Sequence, residues 1–193
     1  MRPRTATLGA SATVTAAAVV AVVLLSSPGA GSAPLRALPA VDKRLECRNQ
    51  SKADFPGAFT RRTNLVVGPL ALMGGRTFTD AATAREFGGN KFPLLVRAGH
   101  RVTVSLPAAA RRYAGLAYGP FPDGELAIED AYDAIAFVAC PRDRTQSTAD
   151  GARVTFWSGF VMTTRPACVP LDVFVDGDRT ARRVRVALGR RCR

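Results

Sequence analysis

The chain has 193 residues and a formal charge of +12, from 27 Lys and Arg against 15 Asp and Glu, with His100 its single histidine. One imidazole cannot build a blue-copper centre, which takes two histidines, a cysteine and a weak axial ligand. It also leaves Ser-His-Asp or Cys-His catalysis a single candidate base, next to a turn glycine and with no G-x-S-x-G in the chain.

Residues 1–33 read as a secretory leader. Arg2 and Arg4 precede an apolar stretch over 14–25, Pro28-Gly29 breaks it, and Gly31-Ser32-Ala33 offers a small-residue cleavage site. The stretch falls short of the roughly 20 residues that a membrane-crossing helix needs, and a retained anchor is the rival reading. Pro34 directly after that site disfavours cleavage there, and a cut after Ala30 or Ala37 stands open. The remainder is expected to be secreted, extracellular or cell-wall associated. Residues 34–60, rich in Pro, Ala and Arg and then polar, form an extended N-terminal segment, and residues 61–193 form one β-sandwich domain.

Within that domain, short apolar runs alternate with turn signals. The first strand covers 65–72, with Gly68-Pro69 as a kink or bulge. Residues 79–87 predict a short helix, Thr83 and Glu86 standing at capping-box spacing and Gly88-Gly89 stopping it. Runs over 92–97 and 101–106 flank Ala98-Gly99 as a hairpin, with Val102, Val104 and Leu106 facing in. A strand over 113–119 closes at Pro120-Phe121-Pro122-Asp123-Gly124, a turn or exposed loop. Residues 125–130 and 134–140 read as two strands, although their Ala, Glu and Asp content also suits a helix. After a polar loop over 141–152 comes one central strand over 153–163. It carries Val154, Phe156, Phe160 and Met162 on one face and Trp157 and Val161 on the other. Finally, 171–175 and 182–188 flank Asp176-Gly177-Asp178-Arg179 as a hairpin, with Val184, Val186 and Leu188 facing in and Arg183 and Arg185 facing out. The expected fold is all-β: an antiparallel β-sandwich of about seven to nine strands with at most one short helix and two disulfides.

All four cysteines (Cys47, Cys140, Cys168, Cys192) follow the leader. An even count in an exported chain reads as two disulfides, with three connectivities available. No C-x-x-C pair supports a zinc site. Cys168 and Cys192 stand at the open end of the last hairpin, which favours Cys168–Cys192 and, by elimination, Cys47–Cys140. Strict alternation would put the hairpin pair on opposite faces, a parity that Pro170 and Gly189 can break.

The positive charge points to anionic partners: a cell-wall polymer, a membrane surface or another exported protein. All basic residues but Lys43, Lys52 and Lys91 are arginines. Along with abundant Ala, Gly and Pro, that excess is what a GC-rich coding bias yields without any ligand, so a solvated basic surface stands beside the binding-site reading. The densest groups nominate Arg182, Arg183, Arg185, Arg190 and Arg191 as contacts for an anionic ligand in a non-enzymatic envelope or extracellular module. No nucleic-acid partner is expected, since no recognised module or Gly-rich phosphate loop occurs, and no cofactor or metal is expected. The alternative is a small cell-wall glycan hydrolase using the acidic cluster Glu125, Glu129, Asp130 and Asp133. Glycoside hydrolysis needs two carboxyls about 5 to 10 Å apart. Glu125 and Glu129 on one strand face would stand about 13 Å apart, which is long for that task. Among the rings, Trp157 reads as core and Phe121, between two prolines, as exposed.

Phe156-Trp157-Ser158-Gly159-Phe160, then Pro166-Ala167-Cys168-Val169-Pro170-Leu171 and a closing Cys192, resemble exported actinobacterial proteins of unknown function, and Phe137-Val138-Ala139-Cys140 is similar to theirs too. The resemblance spans about the last two thirds of the chain and implies a disulfide-bonded β-sandwich, with no activity attached. Arg97-Ala98-Gly99-His100 before an alternating strand is similar to immunoglobulin-like and cupredoxin-like sandwiches, as a fold-level analogy.

Overall fold

The computed structural model describes residues 38–121 and 126–193. The leader lies outside the described residues. Apolar runs this short, cut by Gly, Pro and Asp, can only make short strands. The first half forms β1 (Lys43–Leu45), β2 (Leu65–Val67), β3 (Leu70–Leu72), β4 (Phe78–Thr79), α1 (Ala81–Glu86), β5 (Gly89–Lys91), β6 (Leu94–Arg97), β7 (Arg101–Ser105), α2 (Ala108–Arg111) and β8 (Ala114–Tyr118). The second half adds β9 (Ala134–Val138), β10 (Gln146–Ser147), β11 (Arg153–Trp157), β12 (Gly159–Thr163), β13 (Ala167–Val175) and β14 (Arg182–Leu188). Single 3-10 turns stand at Cys47–Asn49, Ile128–Asp130 and Arg142–Arg144.

Three sheets result: β1-β9-β7-β13-β14-β4, β10-β11-β6-β3-β2 and β5-β12-β8. The β-rich, two-disulfide fold is as expected, but with fourteen strands and two short α-helices among the described residues the count of seven to nine is too low. Expected single runs split. Residues 65–72 fold back at Gly68-Pro69 into the β2–β3 hairpin. Residues 153–163 break at Ser158, sending β11 to β6 and β12 to β5 and β8. The expected hairpin around Ala98-Gly99 is instead a corner between sheets, because β6 pairs with β3 and β11 while β7 pairs with β9 and β13.

Nor is the sandwich purely antiparallel: β1 runs parallel to β9, and β4 to β14. The first case has a covalent reason. Cys47 lies two residues beyond β1 and Cys140 two beyond β9, and they are bonded. A bridge at the C-terminal end of both strands requires them to run the same way. Asp42 closes the other end, its carboxylate accepting from the Ala134 amide (2.8 Å) while its own amide donates to the Ala134 carbonyl (3.0 Å).

The inward faces of the six-stranded sheet (Val102, Val104, Ile135, Phe137, Val169, Leu171, Val173, Val186, Leu188) bury against Leu70, Leu94, Val96, Leu116 and Trp157. Each such side chain contributes about 1.5–3 kcal/mol. Trp157 is core, its ring 5.3 Å from Phe137, which Tyr118 meets edge-on at 5.3 Å. The buried Tyr118 hydroxyl donates to the Phe92 carbonyl (2.9 Å), and burial pushes its phenol well above the ordinary range. This ring dictates Gly159: a Cβ there would lie 2.0 Å from Tyr118 Cδ1. The other face of β11, with Phe156 and Val154, is covered by Phe55, Ala58 and Phe59. The segment before residue 61 therefore supplies a strand and a covering layer as well as an approach.

The short helix expected over 79–87 forms over Ala81–Glu86, and Asp80 caps it, accepting from the Ala82 and Thr83 amides (2.9 and 3.0 Å). The Thr83 hydrogen bonds hold the Asp80 carboxyl below its ordinary value. Among the described residues no helix is long and apolar enough to cross a membrane.

Candidate anion-binding site

The C-terminal hairpin builds this site. In β13 the odd-numbered residues enter the core, so Cys168, Pro170 and Asp172 point outward, opposite Ala187, Arg185 and Arg183 of β14. Pro170 stays within the strand and leaves the parity intact. Gly189 breaks it. Its φ of +72° turns the chain out of β14, and a Cβ there would meet Pro166 at 2.9 Å and Ala81 Cα at 3.1 Å. Cys192 is thereby carried to the outward side, where it bonds Cys168. Both expected disulfides are formed.

The bridge folds residues 190–193 back against the hairpin and gathers side chains that are remote in sequence. One depression of about 610 Å³ is lined by Arg165, Arg185, Arg190, Arg191 and Arg193 with Tyr113 and Cys168. A second, of about 620 Å³, is lined by Arg76, Arg185, Arg191, Phe78 and Cys192 with apolar residues of β2 and β14. Among the described residues no carboxylate side chain lines either, and none forms an ion pair with these arginines. Arg165 lies over the Tyr113 ring at 4.6 Å and Arg191 over Phe78 at 4.8 Å. Arg185 Nη1 donates to the main-chain oxygen of Arg193 at 2.7 Å.

The structure divides the expected arginine set. Arg185, Arg190 and Arg191 come together here. Arg183 is committed to the buried Asp172 through a fork of 2.7 and 2.9 Å, which raises the guanidinium pKa. Arg182 sits by the turn near Asp178 (3.7 Å). Sequence reading missed Arg76, Arg165, Tyr113 and Phe78. For Arg165 a signal existed: it lies three residues before Cys168, and a bridge to Cys192 must bring it beside the arginines of the tail.

The acidic cluster is described only in part. Glu125 lies outside the described residues, and the expected strand over 125–130 is a 3-10 turn at Ile128–Asp130. Glu129 and Asp130 line a depression of about 380 Å³ with Lys43, Phe121 and Tyr132. As consecutive residues of a three-residue turn they diverge by about 120°. Asp130 folds back to accept from the Ala127 amide (3.1 Å), and Asp133 turns to Arg111 (3.5 Å). His100 is paired with Asp176 (Nδ1 to Oδ2, 2.7 Å) at the half-exposed corner between β6 and β7. Burial pushes the Asp176 carboxyl up, but the Arg101 amide and His100 outweigh it and hold it below the ordinary value. Phe121 is 38 % exposed and rests edge-on against Phe160 (5.9 Å).

Comparison with family models, with curated proteins and with solved structures finds no match to this chain.

Proposed function

We propose that the domain is an exported, non-enzymatic envelope or extracellular module that holds an anionic polymer in the basic depression beside Cys168–Cys192. One observation carries this reading: five arginines line a single recess of about 610 Å³ that no carboxylate side chain among the described residues lines. With 27 Lys and Arg against 15 Asp and Glu many cations must lack an acidic partner; what sets these five apart is that they share one recess. Guanidinium groups left in a recess repel one another and are relieved by an oxyanion, which their planar forks match with paired hydrogen bonds. The tail's resemblance to exported actinobacterial proteins fits a place at the cell surface. The hydrolase reading lacks two carboxyls that face each other across a cleft among the described residues.

Co-sedimentation of the oxidised protein with purified envelope material, at low and high salt, tests the proposal. Pelleting should weaken as salt screens the charges, and Arg190→Gln/Arg191→Gln should remove most of it. A protein that stays in the supernatant at every salt would show that its charge is composition alone.

A further inference from the structure

Resting on that reading, we infer that the ligand is a linear phosphate polymer that occupies both basic depressions at once. The two recesses share Arg185 and Arg191 as a common wall. Each also holds arginines of its own: Arg165 and Arg190 in the first, Arg76 in the second. A single small anion would use one recess and leave the other uncompensated. A chain with an anionic group at every repeat can place one group in each and a third at the shared wall.

Arg165 lies over the Tyr113 ring and Arg191 over Phe78, contacts that tether one guanidinium in the first recess and one at the shared wall. Nη1 of Arg185 already donates to the Arg193 main-chain oxygen, leaving its other N–H groups for a ligand. Six arginines (Arg76, Arg165, Arg185, Arg190, Arg191 and Arg193) stand around the two joined recesses. A phosphate chain, with an anionic group at short intervals, matches that density of positive charge more closely than a polymer with one carboxylate per sugar. Concavity argues further for a chain over a lipid surface, because a flat plane of headgroups cannot follow two recesses.

Titration of the oxidised protein with orthophosphate, tripolyphosphate and long-chain polyphosphate, at about 0.15 M ionic strength, separates the possibilities. The long chain should bind at least about 100-fold more tightly than tripolyphosphate, through occupation of linked subsites. Arg76→Gln and Arg190→Gln should each cost the long chain about tenfold, while Arg142→Gln, in the turn after Cys140, should cost less than about twofold. Equal losses from Arg142→Gln and Arg76→Gln would show a diffuse field and overturn the two-recess track. Tighter binding of polygalacturonate, or of vesicles with about 30 % anionic lipid, at equal charge would overturn phosphate while keeping the basic site. Failure of every anion to bind would remove the underlying function as well.

Discussion

The two disulfides make unlike regions. Cys140 is fully buried at the end of β9, its amide donating to Thr155 (2.7 Å) and its carbonyl accepting from Gly99 (3.1 Å), so that three elements converge on it. Cys192 is exposed in a short tail ringed by arginines. Chain entropy ranks the bridges close together: about 4–5 kcal/mol for a span of 93 residues and about 3–4 for one of 24. The difference lies in what each holds in place. One sets the direction of a strand and seals the core; the other holds an arginine-lined rim to a hairpin whose own pairing and core side chains are complete without it.

The largest expected effect comes from Cys47→Ala/Cys140→Ala. It should lower unfolding free energy by about 4–5 kcal/mol, with further loss from the cavity at Cys140, as read by denaturant titration. A loss no greater than that of the second bridge would break the contrast. Cys168→Ser/Cys192→Ser should cost about 3 kcal/mol while leaving the near-ultraviolet signature of Trp157 intact. Phosphate-polymer affinity should fall about tenfold or more as Arg190 and Arg191 are released. Unchanged affinity would detach the bridge from the site.

Gly159→Ala should cost about 1–3 kcal/mol by forcing the Tyr118 ring aside. Polymer affinity should not change, which separates core packing from the rim.

The smallest effect is on pH dependence. Asp80 and Asp176 have lowered carboxyl pKa values, so the stability they add is complete above the ordinary carboxylate value of 3.8 and is lost as pH falls through their folded values. Asp80→Asn should flatten the acid limb of a stability–pH curve. Polyphosphate binding, resting on arginine, should hold steady from about pH 5 to 9.

Local signals carried much of this molecule. The Asp176-Gly177 turn between alternating Val runs, the bridge at the open end of that hairpin, a buried Trp157 and an exposed Phe121 were all legible, because each depends on neighbours within a few residues. The acidic segment misled: Leu126 and Ile128 alternate as in a strand, yet the carbonyl of Ala127 accepts from the Asp130 amide (3.2 Å), closing a tight turn that alternation cannot report. Gly68-Pro69 reads as a kink or bulge and is a hairpin turn, since a lone Gly-Pro does not say whether the chain bends or reverses.

The sequence by itself determined a β-rich, twice-bridged domain with a surplus of arginine, since periodicity, cysteine parity and charge are properties of the chain alone. Tertiary structure decided which arginines gather in one place. Arg183 was neutralised by Asp172 because register set them opposite, and Arg165 and Arg76 joined Arg190 and Arg191 because a disulfide and a parallel β4–β14 pair brought remote segments together. Whether a guanidinium is paired or left facing a recess depends on neighbours distant in sequence, and only folding supplies them.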